Sequence, residues 1–118
     1  KVRVLSGPLL CDRSKPELRN LTPATPGKLA EAGVPTAIIT DHPVVPIQYL
    51  PLCAALAVRE GMSEEDALAA ITCNPAKICG IDGTLEAGKD ADFVVFRKNP
   101  LSLSARPEMV FISGQRVR

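Results

Sequence analysis

The hydrophobic and polar positions of this chain change rhythm several times. Val2 and Val4 flank Arg3 and run into Leu5 and Gly7-Pro8, which predicts a short strand over residues 2–5 closed by a turn. The stretch from Cys11 to Pro26 is polar and carries Pro16, Pro23 and Pro26, the signature of a functional or a disordered connection. Residues 26–33 then read as a helix: Thr25 is placed to cap it, Pro26 suits its first turn and Gly33 its end. Val34-Pro-Thr-Ala-Ile-Ile-Thr40 is apolar and β-branched without alternation, as in a strand covered on both faces. It ends abruptly at Asp41-His42-Pro43, where Pro43 disfavours helix at His42.

From Ile47 to Gly61 the period becomes helical, with Leu52, Cys53, Leu56 and Ala57 on one face and Pro51 in the first turn. Ser63-Glu-Glu-Asp66 is a capping-box pattern opening a second helix whose packing face is Ala67, Leu68, Ala70 and Ile71. Asn74-Pro75 opens a third short helix, with Asn74 as the expected cap and Gly80 at the exit. Beyond Gly80 the pattern is extended. Phe93–Phe96 reads as a strand, and Met109–Ile112, Ser113-Gly114 and Gln115–Val117 as a hairpin around a tight turn. The order is therefore α/β first and all-β last.

Such a chain is unbalanced. A buried strand such as Ala37-Ile38-Ile39 needs cover on both faces, and short helices supply little of it. The expectation is that a further, upstream part of a parent chain supplies the missing layers. The rival is a homo-oligomer that pairs copies of the chain.

Composition narrows the classes without naming one. With 118 residues, 46% hydrophobic and 23% charged, the chain is of ordinary globular make-up. Its net charge of +1 gives no pull toward nucleic acid or an anionic membrane. No segment approaches the roughly 20 apolar residues of a membrane span, and the start has no signal-peptide core. Cys11, Cys53, Cys73 and Cys79 show no Cys-x-x-Cys spacing, so reduced thiols and a cytoplasmic location are expected. A cysteine nucleophile would need a base, and the sole histidine, His42, belongs to the strand end at Asp41.

Read from residues alone, Asp41 is either a turn residue or a catalytic carboxylate. His42 is either a polar residue at a loop start or, less in keeping with side chains that alternate along a strand, a substrate-binding group. Asp90 and Asp92 precede a strand and suit turn formation, and Lys77 suits solvent.

Two stretches carry a resemblance. Ala32-Gly-Val-Pro-Thr-Ala-Ile-Ile-Thr-Asp41-His42-Pro43 is one; the other joins Ala67–Gly80 to Gly83-Thr-Leu-Glu-Ala-Gly-Lys-Asp-Ala-Asp-Phe-Val-Val-Phe96. Together they resemble the end of metal-dependent amidohydrolases, nearest to imidazolonepropionase-like enzymes. The resemblance implies that residues 1–79 are the last two strand–helix units of a (β/α)8 barrel. Residues 80–118 would be the C-terminal strands of a small β-sandwich. It implies hydrolysis of cyclic or linear, non-peptide carbon–nitrogen bonds in a small-molecule substrate, with a divalent metal, zinc first among them. Asp41 becomes metal ligand and proton carrier at the catalytic face of the barrel, with His42 beside it.

The sequence also departs from that pattern: the family's His-x-His pair, bridging ligand and later histidines have no counterpart. Zinc takes three or four protein ligands, and Asp41 with His42 falls short. The isolated chain is therefore expected to hold no metal and to hydrolyse nothing. A stand-alone interaction or scaffold domain derived from such an enzyme is the competing expectation.

Overall fold

A computed structural model describes residues 2–118. The first expected strand forms over Val4–Ser6 (β1) and the second over Thr36–Ile38 (β2), shorter than the apolar run suggests. They pair in parallel, Val4 opposite Thr36 and Ser6 opposite Ile38, and Ile39 N–H extends the ladder to the Ser6 carbonyl at 3.0 Å. The connection between them is proline-rich, with one 3-10 turn at Pro16–Leu18, and ends in helix α1 (Thr25–Glu31). Gly33, at φ 68°, reverses the chain after α1, while Val34 N–H reaches the Leu29 carbonyl at 2.9 Å.

Helices α2 (Leu50–Arg59), α3 (Glu64–Ile71) and α4 (Cys73–Cys79) follow. All four helices pack on β2, whose three residues are buried. Short helices thus cover this strand fully, against expectation, because α2, α3 and α4 fold back on one another as well as on β2. Strand β1 is the uncovered one: Leu5 stays 54% exposed.

Local chemistry accounts for some ends and not others. Ser63 caps α3 as expected, its Oγ accepting from Asp66 N–H at 3.0 Å while its hydroxyl donates to the Asp66 carboxylate at 2.7 Å. Gly80 ends α4 at φ 72°. Two expected caps are corrected. Thr25 is the first residue of α1, not its cap, and Thr72 holds the cap position of α4. Asn74 lies inside α4 and instead donates its side-chain N–H to the buried Thr36 carbonyl at 3.0 Å, tying helix to strand. The buried face of α2 is Cys53, Ala54 and Ala57, turned slightly from the expected stripe so that small residues meet the neighbouring helices. Burial also pushes the Cys53 thiol up in pKa.

The all-β end forms a three-stranded antiparallel sheet from β3 (Phe93–Phe96), β4 (Pro107–Ile112) and β5 (Gln115–Arg116). Phe93 stacks on Phe111 with centroids 4.5 Å apart. Ser113 (φ 50°) and Gly114 (φ 76°) make the tight turn. Asp92 accepts Ser113 N–H at 2.6 Å, so it braces the distant β4–β5 turn and does not form the turn before β3 that was expected of it. The segment joining β3 to β4 reaches back: Leu101 is 9% exposed within the helical core, and Asn99 donates to the Glu64 carboxylate at 2.7 Å. Lys77 is exposed, as expected.

Candidate active site

Strand β2 delivers Asp41 to the edge where both parallel strands end. Thr40, just before it, is 2% exposed, so the strand end is anchored in the core and the acid emerges from a fixed point. Asp41 adopts φ 53°, a left-handed conformation that Asp and Asn tolerate better than other side-chain-bearing residues. Two hydrogen bonds hold the turn: Val44 N–H to the Asp41 carbonyl at 2.9 Å and Val45 N–H to the Thr40 carbonyl at 3.2 Å. The turn fixes the backbone and leaves the Asp41 side chain exposed. The peptide bonds Gly7–Pro8, after β1, and His42–Pro43, in this turn, are both cis.

His42 is exposed in the same turn, and among the described residues no hydrogen bond joins its side chain to the Asp41 carboxylate. Arg13, Lys15 and Arg19, on the connection that follows β1, are exposed as well. The close approach of the two strand ends depends on Gly7, where a Cβ would collide with the Ile39 carbonyl oxygen. Gly7 is readable from the sequence as a turn residue but not as a contact, since Ile39 lies far along the chain.

The donor set does not fit a resident metal. A zinc site takes three or four protein ligands, and among the described residues no three His, Cys, Asp or Glu side chains converge. Asp41 offers one carboxylate and His42 one adjacent imidazole, so these residues by themselves support no reaction step through a metal. Among the described residues no helix is long and apolar enough to cross a membrane.

Comparison with known proteins gives this geometry its context. Residues 1–117 match the family model described as "Amidohydrolase family". The chain is 35% identical over 96 residues to "Amidohydrolase tasK" of Hapsidospora irregularis, covering 79% of this chain and 10% of that protein. It is 44% identical over 75 residues to imidazolonepropionase of Geobacillus kaustophilus, covering 58% and 18%. The imidazolonepropionase of Thermoplasma acidophilum is 36% identical over 92 residues, covering 74% and 21%. A crystal structure of an amidohydrolase from Thermotoga maritima superposes on the whole chain with a TM-score of 0.95 at 45% identity, and the match takes up 32% of that longer chain. The chain thus spans between 10% and 21% of the length of these curated relatives. Its matched length, its mixed α/β fold and its superposition agree: the chain belongs to the amidohydrolase family.

Proposed function

We propose that this chain is the C-terminal part of a cytosolic hydrolase of non-peptide carbon–nitrogen bonds, cyclic or linear, in small molecules. The observation that carries the reading is the position of Asp41: an exposed carboxylate, on a backbone held by its turn, at the C-terminal end of a buried parallel strand. That is where barrels of alternating strands and helices hold their reacting groups. In this reading residues 1–79 are the last two strand–helix units of a (β/α)8 barrel, and residues 80–118 the C-terminal strands of a composite β-sandwich. The parallel β1–β2 pair and the separate antiparallel sheet support that division.

Asp41 has the chemistry of a proton carrier. Its carboxylate oxygen takes a proton from the water that attacks the carbonyl or amidine carbon, and returns it to the departing nitrogen as the carbon–nitrogen bond breaks. The names of the relatives, amidohydrolase and imidazolonepropionase, agree with this class of bond. A divalent metal, zinc by the resemblance, would find in this chain at most Asp41 as a ligand. Its remaining ligands, like the opposite wall of the substrate site, belong to the rest of a longer protein, which is the partner the open β1 edge calls for.

The test is turnover. The pure 118-residue chain, supplied with zinc, is expected to hydrolyse neither simple amides nor imidazolones. Measurable release of amine or ring-opened product, lost in Asp41→Asn, would show that the chain completes a site by itself and would overturn this reading.

A further inference from the structure

Two loops leave the edge where β1 and β2 end, and each reaches the core through one side chain. Of residues 41–49, between β2 and α2, Val45 alone is buried, at 4% exposure. Of residues 7–25, after β1, Leu9 alone is buried. Both belong to one cluster of buried residues with Ile38, Cys53 and Ala54, so the end of β2, the two loops and α2 share a core. This chain closes that core by itself, since Cys53 and Ala54 have no exposed surface.

The consequence for Asp41 is mechanical. Thr40, buried, fixes the start of the turn. Val45 fixes its end twice, through its N–H bond to the Thr40 carbonyl and through its seat in the core. Asp41, His42, Pro43 and Val44 lie between these points, and all four are exposed. Backbone hydrogen bonds at an exposed turn compete with water, so they hold it weakly without a packed neighbour. Asp41 also carries an unfavourable φ of 53°, a conformation that persists only where its surroundings over-determine it. Val45 is the one side chain of the 41–49 segment placed to do so.

We propose that Val45 is a positioning residue of the site, its buried side chain keeping closed the turn that sets the Asp41 backbone at the end of β2. Its functional meaning rests on the reading of Asp41 as the reacting carboxylate. It deepens that reading by naming the residue through which the core fixes the acid, where a displacement of about 1 Å can cost a reaction on the order of 100-fold.

The turn can be observed without turnover, by NMR of the 118-residue chain. Two readouts serve: the strong intraresidue HN–Hα contact that marks a left-handed Asp41, and amide exchange at Val44 and Val45 relative to Ile39, whose N–H pairs with Ser6 in the β1–β2 ladder. Val45→Ala should raise that exchange ratio at least about tenfold and weaken the Asp41 contact. Val45→Ile, which restores the buried bulk, should return both to their original values. Val45→Thr, of the same shape with a hydroxyl in the core, provides the same test should Val45→Ala fail to fold. Leu101→Ala removes bulk from the same cluster on a distant segment, so it should destabilise the chain without raising the ratio. Asp41→Asn should keep both readouts, so the hold on the turn is tested apart from the chemistry of Asp41. An unchanged ratio in Val45→Ala, a left-handed Asp41 retained there, or an equal rise in Leu101→Ala would each overturn the proposal.

Discussion

Asp41 pays for its position with backbone geometry, and this makes its two roles separable. At φ 53° an aspartate or asparagine is tolerated, whereas a β-branched residue is strained. Asp41→Asn should therefore leave stability within about 0.5 kcal/mol, and Asp41→Val should cost about 1–2 kcal/mol, both read by urea denaturation. A Val variant as stable as Asn would mean that the turn relaxes freely and does not hold the acid. Cys53, fully buried, and Cys79, exposed, give a second contrast. Alkylation followed by mass spectrometry should label Cys79 quickly and Cys53 only on unfolding, because burial both hides the Cys53 thiol and disfavours its thiolate. At this scale much is legible in the sequence: Gly33, Gly80 and Ser63 act through neighbours within a few residues. The roles of Asn74 and Gly7 are not, because their partners, Thr36 and Ile39, are distant in sequence and close only in the fold.

Elements hold the site through those distant contacts. Removing the Asn74 side chain, as in Asn74→Ala, leaves the buried Thr36 carbonyl without its donor and should cost about 1–3 kcal/mol. Ser63→Ala removes an exposed cap and should cost about 1 kcal/mol, so the tie between α4 and β2 should outweigh the cap of α3. A larger loss from Ser63 than from Asn74 would reverse that order. The β-rich end beyond Gly80 responds instead to pH. Arg97 donates to Glu108 at 2.8 Å and holds its carboxyl below the ordinary glutamate range; Lys89 does the same for Asp82. A carboxyl with a depressed folded pKa stabilises above its unfolded pKa, and that contribution fades as pH falls through the folded value. Stability should therefore fall on acidification below the ordinary carboxylate range, and Arg97→Ala should flatten part of that dependence. Strand and helix identities are largely legible from apolar period. The burial of β2 by four helices is not, because period reports a covered face and not what covers it.

For the molecule as a whole, the two ends are less separate than composition suggests. The Asn99–Glu64 bond and buried Leu101 fasten the β-rich end to the helices, so truncation at Gly80 should expose part of the helical core. The open β1 edge, with Leu5 54% exposed and Val2 just before the strand 77% exposed, predicts self-association of the isolated chain at micromolar concentration. Light scattering that finds a stable monomer would count against a missing partner. The family is legible in the sequence because the resemblance is carried by two short stretches, one ending at Asp41-His42-Pro43 and the other running from the Asn74-Pro75 helix into Lys89-Asp90-Ala91-Asp92. The complete site is not, since the groups that would face Asp41 have no representative among these residues. The central claim, that Asp41 carries the proton in a carbon–nitrogen hydrolase, is tested most directly in a chimera. This chain would replace the stretch it matches in Geobacillus kaustophilus imidazolonepropionase, and imidazolonepropionase turnover would be measured with Asp41 and with Asn in its place. The account predicts a working chimera whose kcat falls about 1,000-fold in Asp41→Asn; equal turnover by the two would contradict it.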